Sequence, residues 1–202
     1  MTIKNKLNIR DAVELARAEE RISKQKAIAL WLSGDLNKMK SGTFSSLATI
    51  HRAMFEDIYN FAGKLRTVNI SKGSFRFASA LYLQEAVTMI EKMPQSNFDE
   101  IIAKYVEMNV AHPFREGNGR SMRLWLDQMI KSELNCVIDW SRVDKNLYLQ
   151  AMERSPINDM EIKAILFDAL TDKINDREIF IKGLDASYFY EDYIAYRSKD
   201  LV

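Results

Sequence analysis

Helix breakers are scarce in this chain: three prolines and seven glycines are spread through 202 residues. A backbone so rarely interrupted favours long helices, and the apolar spacing agrees. From Asp11 to Leu32 the residues Val13, Leu15, Ala16, Ile22, Ala27, Ile28, Leu30 and Trp31 recur near a 3.6-residue period. Ser33-Gly34-Asp35 then supplies a stop. The same reading predicts helices over Ser45–Phe61, Leu81–Lys92, Asp99–Ala111, Gly119–Leu134 and Lys145–Glu153. It adds one opened by an Asn158/Glu161 capping box and running to about Asp172, and a short final helix over Ser187–Tyr196. Only Leu65–Ala78 alternates as paired strands do, with Val68 and Ile70 before Ser71-Lys72-Gly73-Ser74 and Phe75 and Phe77 after it. The expected fold is all-α, one domain with a small β-hairpin.

Composition narrows the function classes. Hydrophobic residues are 47% and charged residues 28% of the chain, as in ordinary soluble domains. The formal net charge of +1 gives no global field for nucleic acid or an anionic membrane, so any affinity for phosphate must be local. The lone Cys136 excludes an intrachain disulfide and a multi-cysteine metal site, and it fits a reducing, cytoplasmic setting. Its neighbours Leu134, Val137 and Ile138 mark it as a small buried hydrophobe. Met1–Arg10 has no apolar h-region, and no apolar stretch reaches membrane-spanning length.

The chemistry gathers in His112-Pro113-Phe114-Arg115-Glu116-Gly117-Asn118-Gly119-Arg120-Ser121-Met122-Arg123, between two helical patterns. Gly117 and Gly119 allow backbone shapes closed to other residues. They open a helix whose unpaired N–H groups and dipole favour an anion. Arg120 and Arg123, three apart, flank that helix start, and guanidinium groups bind phosphate oxygens in pairs. Glu116 would repel a phosphate unless a cation such as Mg²⁺ lay between them. His112 titrates near neutrality and suits a general base. Asn118 adds an uncharged donor. This set describes phosphoryl or nucleotidyl transfer, and no P-loop sequence is present.

The run resembles the Fic (filamentation induced by cAMP) family signature, His-x-Phe-x-Asp/Glu-Gly-Asn-Gly-Arg-x-x-Arg, at every fixed position. Phe61-Ala62-Gly63-Lys64-Leu65-Arg66 with Ile70-Ser71-Lys72-Gly73 looks like the segment leading into that family's flap hairpin. The resemblance covers about residues 45–195. It implies a Fic-type helical fold over residues 1–202, with a core at about 45–172. It also implies a protein adenylyltransferase that moves AMP from ATP, with Mg²⁺ as cofactor, to a serine, threonine or tyrosine hydroxyl of a target protein. By the same resemblance His112 is the base and Glu116 the metal ligand. Gly117, Asn118, Gly119, Arg120 and Arg123 bind the phosphates, and Phe114 anchors the loop. Ser71, Lys72 and Gly73 belong to a flap of about Thr67–Phe77 that holds the target by strand addition.

Ser187-Tyr188-Phe189-Tyr190-Glu191 resembles the family's inhibitory motif, Ser/Thr-x-x-x-Glu-Gly/Asn, near the C-terminus, as in its small single-domain class. The expected inhibitory helix spans about 185–196, with Glu191 pairing with Arg123 in place of the γ-phosphate. Asp192 departs from Gly/Asn at the sixth position. Tyr188 and Tyr190 are candidates for self-modification, and a homo-oligomer is a candidate assembly. Neither direct nucleic-acid contact nor a membrane is expected. The alternatives are a Fic-fold transferase of UMP, phosphocholine or phosphate, and a non-catalytic nucleotide-binding module. His51, the other histidine, reads as structural or surface.

Overall fold

A computed structural model describes residues 2–73 and 75–201. Eight α-helices carry it among those residues: α1 Ala12–Leu32, α2 Phe44–Phe55, α3 Leu83–Glu91, α4 Phe98–Ala111, α5 Asn118–Leu134, α6 Lys145–Arg154, α7 Met160–Asp168 and α8 Arg177–Phe189. Two small antiparallel pairs join them, β1 Ser71–Lys72 with β2 Phe75–Arg76, and β3 Val137–Ile138 with β4 Leu170–Thr171. The all-α expectation with a small hairpin holds.

Helix α5 runs through the middle. It packs on α2, α4 and α8, and its Met122, Trp125, Leu126, Met129 and Ile130 are fully buried. The starts of the surrounding helices are set by side-chain caps, which satisfy otherwise orphaned N–H groups. Asp11 accepts from Glu14 N at 2.8 Å, Thr43 from Ser46 N at 3.1 Å, and Asn97 from Glu100 N at 3.0 Å. Asp144 and Asp176 do the same for α6 and α8.

Several expected boundaries move. Helix α2 stops at Phe55 rather than Phe61, because the chain turns there and buries Ile58, Tyr59 and Ala62 from a loop. Their spacing continues the period of α2 without its backbone. The Asn158/Glu161 box does not form: Asn158 accepts from Met160 N, while Glu161 grips Arg154 at 2.7 and 2.9 Å. Helix α7 ends at Asp168 because Leu170–Thr171 pairs with β3. The last helix spans Arg177–Phe189, not 185–196; only its final turn falls inside the expected range. Cys136 is half-buried rather than buried.

The end of α8 explains the sequence there. Tyr193 N donates to Tyr188 O and Asp192 N to Phe189 O, both at 3.1 Å, and Asp192 takes φ 65°. These paired bonds close a helix end around a left-handed residue, a position that favours Gly or Asn. The departure at Asp192 thus falls where backbone shape favours Gly or Asn.

Candidate active site

Helix α4 ends at the site and α5 begins there. His112 caps α4 in the left-handed region, φ 48° and ψ 64°, which histidine enters more readily than most side chains. The next turn is closed by Asn118, whose amide donates to Phe114 O at 2.7 Å and accepts from Phe114 N at 2.8 Å. Phe114 is fully buried against the His51 ring, 3.8 Å between centroids. Gly117 sits at φ 76°, and a Cβ there would strike Phe55 at 2.6 Å. It leaves the first turn of α5 without a side-chain cap, so N–H groups face outward as an anion seat.

His51 is buried and uses both ring nitrogens. Gly63 N donates to Nδ1 at 2.9 Å, so the proton rests on Nε2, which donates to Glu116 O at 2.8 Å. Burial pushes its pKa down to about 4. Of the two expectations for it, structural or surface, burial excludes the surface one, and the ring holds the backbone of the signature turn.

His112 has the opposite arrangement. Its Nδ1–H donates to Asn109 O at 3.2 Å, which leaves the Nε2 lone pair to accept a proton. The ring stacks on Phe77 of the hairpin, 3.7 Å between centroids and 18° from parallel. Burial lowers its pKa to about 4, against the opposing pull of the Asn109 carbonyl and Glu191. The imidazole is therefore neutral at pH 7.

Arg120 and Arg123 carry the strongest charge interactions. The Arg120 side chain is fully enclosed and meets three carboxylates: Glu19 at 2.6 Å, Glu191 at 2.8 Å and Glu116 at 3.1 Å. The Glu191 contact is an ion pair without hydrogen-bond alignment, so Arg120 Nε–H has no acceptor. Phe55, Tyr188 and Tyr193 pack around the guanidinium at 5.0, 5.4 and 4.6 Å. Arg123 donates to Ser187 Oγ at 2.6 Å, Ser187 O at 2.7 Å and Glu191 Oε1 at 2.8 Å. Burial opposes ionisation of Glu191, yet the two guanidinium groups hold its carboxyl below the usual range. Burial raises Glu116, with Arg120 working the other way.

Among the described residues no group of three or more His, Cys, Asp or Glu side chains is set to hold a metal. Glu116 alone fits a Mg²⁺ site of the kind that substrate phosphates complete. Its side chain is 35% exposed, and Oε1 takes the Arg120 and Gly117 N–H contacts.

Ser71 and Lys72 form the exposed strand β1 and Gly73 starts its turn, at φ 58°. The charge of Lys72 is felt at both His112 and Glu191. Tyr188 and Tyr190 are buried, the first donating to Ser23 Oγ at 2.6 Å and the second to the Val143 and Trp140 carbonyls at 2.8 and 3.0 Å. Neither hydroxyl is accessible while the end of α8 stays packed. A cavity of about 650 Å³ also touches Arg123 and Ser187, but His112, Glu116, Gly117–Arg120 and Glu191 do not line it.

Sequence reasoning missed the partners of this cluster on α1. Glu19, Glu20, Ser23 and Lys24 are all buried. The Glu19 carboxylate accepts from the Tyr59 hydroxyl and, at 2.9 Å, from the Tyr193 hydroxyl. Glu20 accepts from Ala195 N at 2.9 Å and Tyr196 N at 3.2 Å, while Lys24 donates to Tyr196 O at 2.6 Å and pairs with Glu20 and Asp185 at 3.0 Å. The signal was the i, i+4 spacing of Glu19–Ser23 and Glu20–Lys24, a polar stripe beside the apolar one.

The signature turn, its helix and α2 coincide with the Fic/DOC family model, which matches residues 42–130. The chain carries a Fic/DOC family domain. The "Probable protein adenylyltransferase Fic" of Escherichia coli (strain K12) is 25% identical over 187 residues, covering 87% of this chain and 90% of that protein. "Protein adenylyltransferase VbhT" of Bartonella schoenbuchensis is 31% identical over 182 residues, and the match spans 82% of this chain but 35% of VbhT. The crystal structure of BepC from Bartonella tribocorum, with bound AMPPNP, superposes on the Fic fold seen here with TM-score 0.68. Its identity is 17%, with 85% of this chain and 93% of that one covered.

Proposed function

We propose that this Fic domain protein is a protein adenylyltransferase whose own C-terminal segment holds it inactive. One observation carries the reading: the Glu191 carboxylate lies between Arg120 and Arg123 at the open end of α5, beside an imidazole with a free lone pair. Relatives named as adenylyltransferases match over most of the chain, and a similar fold binds a nucleotide analogue.

In this reading the triphosphate lies along the first turn of α5. The turn N–H groups receive the α- and β-phosphates, and the two arginines neutralise the leaving pyrophosphate. Asn118 acts chiefly by closing the turn, since its amide is already spent on Phe114. Glu116 would hold Mg²⁺, which when bound offsets phosphate charge. A backbone segment of the target adds to the β1–β2 hairpin, bringing its hydroxyl to His112. His112 Nε2 takes the hydroxyl proton as the oxygen bonds to the α-phosphorus, and the bond from that phosphorus to the β-phosphate oxygen breaks.

Glu191 occupies the arginines with its own charge, so a nucleotide must displace it to reach them. Incubating Glu191→Gly with Mg²⁺, a bacterial lysate and either α-³²P-ATP or γ-³²P-ATP tests the reading. Label on protein from the α position only, absent in Glu191→Gly/His112→Ala, is the expected result. Label from the γ position, or none from either, would refute it.

A further inference from the structure

We propose that Arg66 is a positioning residue that couples the target-binding hairpin to His112; the hairpin's role rests on the adenylyltransferase reading, whereas the coupling does not. Arg66 is 4% exposed, and among the described residues its guanidinium bonds only to carbonyl oxygens. Nε donates to His112 O at 2.8 Å, Nη1 to Val68 O at 2.8 Å, and Nη2 to Ala78 O at 2.5 Å and Ala111 O at 3.0 Å. Its backbone N–H donates to Pro113 O at 2.8 Å.

These acceptors fall into two sets. Ala111 and His112 are the last carbonyls of α4, where a cation satisfies orphaned acceptors and meets the negative end of the helix dipole. Val68 and Ala78 are the two legs of the hairpin. One planar group thus fixes the backbone that carries the imidazole and clasps both ends of the loop facing it.

The hairpin needs such a clasp. It has two paired positions, Ser71 with Arg76 and Lys72 with Phe75, and a two-stranded hairpin that small is marginal alone. Ala78 N, donating to Val110 O at 3.0 Å, is a further tie to α4. Phe77, next to the clasped Ala78, is the residue that stacks on His112. Shifting either leg therefore moves the face on which the imidazole rests. Lysine offers three donors from a single atom and cannot reach four carbonyls set around a fork.

Arg66→Lys in the full chain tests the coupling without any transfer assay. Amide exchange at Phe77 and Ala78 should quicken at least tenfold, and ¹⁵N spectra should show the His112 Nδ1–H tautomer losing its dominance. Exchange at Trp125 and Met129 in α5 should stay within twofold. Unchanged hairpin exchange and tautomer, or equal acceleration in α5, would overturn the proposal. If the variant does not fold, the parent protein answers: resolved, slowly exchanging Arg66 Nη–H resonances are expected, and one averaged, fast-exchanging signal would overturn it. In the Glu191→Gly background Arg66→Lys should cut AMP transfer at least thirtyfold with the KM for ATP within threefold. Loss of ATP affinity in step with transfer would overturn the positioning role.

Discussion

The carboxylate of Glu191 fills the space that a side chain on Gly119 would need. In the proposed mechanism the same absent Cβ would serve a phosphate arriving at the start of α5, so carboxylate and phosphate would compete for one seat. Glu191→Gly and Gly119→Ala should therefore part ways. The first should tighten MgATP binding at least tenfold by calorimetry. The second should loosen Glu191 yet fail to tighten binding, because the new methyl crowds the nucleotide as well.

The segment after Glu191 is tied to α1 by Glu20 and Lys24, both nearly free of solvent. Breaking a buried ion pair by removing one partner costs about 3–5 kcal/mol. Glu20→Gln should lower the unfolding midpoint by roughly 6–12 °C, from about 2–4 °C per kcal/mol at this size and the lower end of that cost. It should also give AMP transfer above the parent and below Glu191→Gly, since the retaining contacts of Arg123 with Ser187 remain.

In the proposed mechanism the pH dependence of catalysis follows from His112. Its folded pKa of about 4 lies below the ordinary 6.5, so the base form persists well into acid. Removing Glu191 takes away an anion that favours the protonated ring and strengthens this further. In Glu191→Gly the acid limb of kcat/KM should fall at or below pH 4. A limb near 6.5 would show that the active ring is solvated.

Stability should carry the same signature. His51 and His112 both bind a proton less readily folded than unfolded. Through these two rings the unfolded chain holds more protons between pH 4 and 6.5, a contribution that makes stability rise with pH there, opposed by Asp127, whose carboxyl burial pushes up to about 7. His51→Gln should reduce the slope of unfolding free energy against pH by up to one proton. His51→Ala should also leave Glu116 O and Gly63 N unpaired, at about 1–3 kcal/mol each, and lower the melting temperature at every pH.

Asp192 holds a left-handed backbone that Gly or Asn adopts more easily. Asp192→Asn should make the end of α8 more resistant to exchange and reduce basal AMP transfer. Its surface pair with Lys145 is too exposed to reverse the sign.

Much of this was legible beforehand because helix period and signature are both local. Helices α1, α4, α5 and α6 stand within a residue or so of their expected ends. The signature turn brings His112, Glu116, Arg120 and Arg123 together because consecutive residues can do little else. What could not be read depended on distant partners. Two-residue strands such as Val137–Ile138 have no period to detect. Most of α8 escaped notice because Ile179-Phe180-Ile181 is an unbroken apolar run before Gly183, with no clear face. Nothing local marks what Glu19 and Arg66 do, since Arg120, which Glu19 binds, and His112, which Arg66 binds, lie 101 and 46 residues away.

The two histidines of this sequence differ in chemical availability. In His51 both ring nitrogens are engaged behind packed aromatics, whereas among the described residues His112 keeps one unengaged. An imidazole-directed acylating reagent applied to the native protein would thus report on a single atom, the one at which the alcohol would surrender its hydrogen, and protection by added nucleotide would map the seat without mutagenesis.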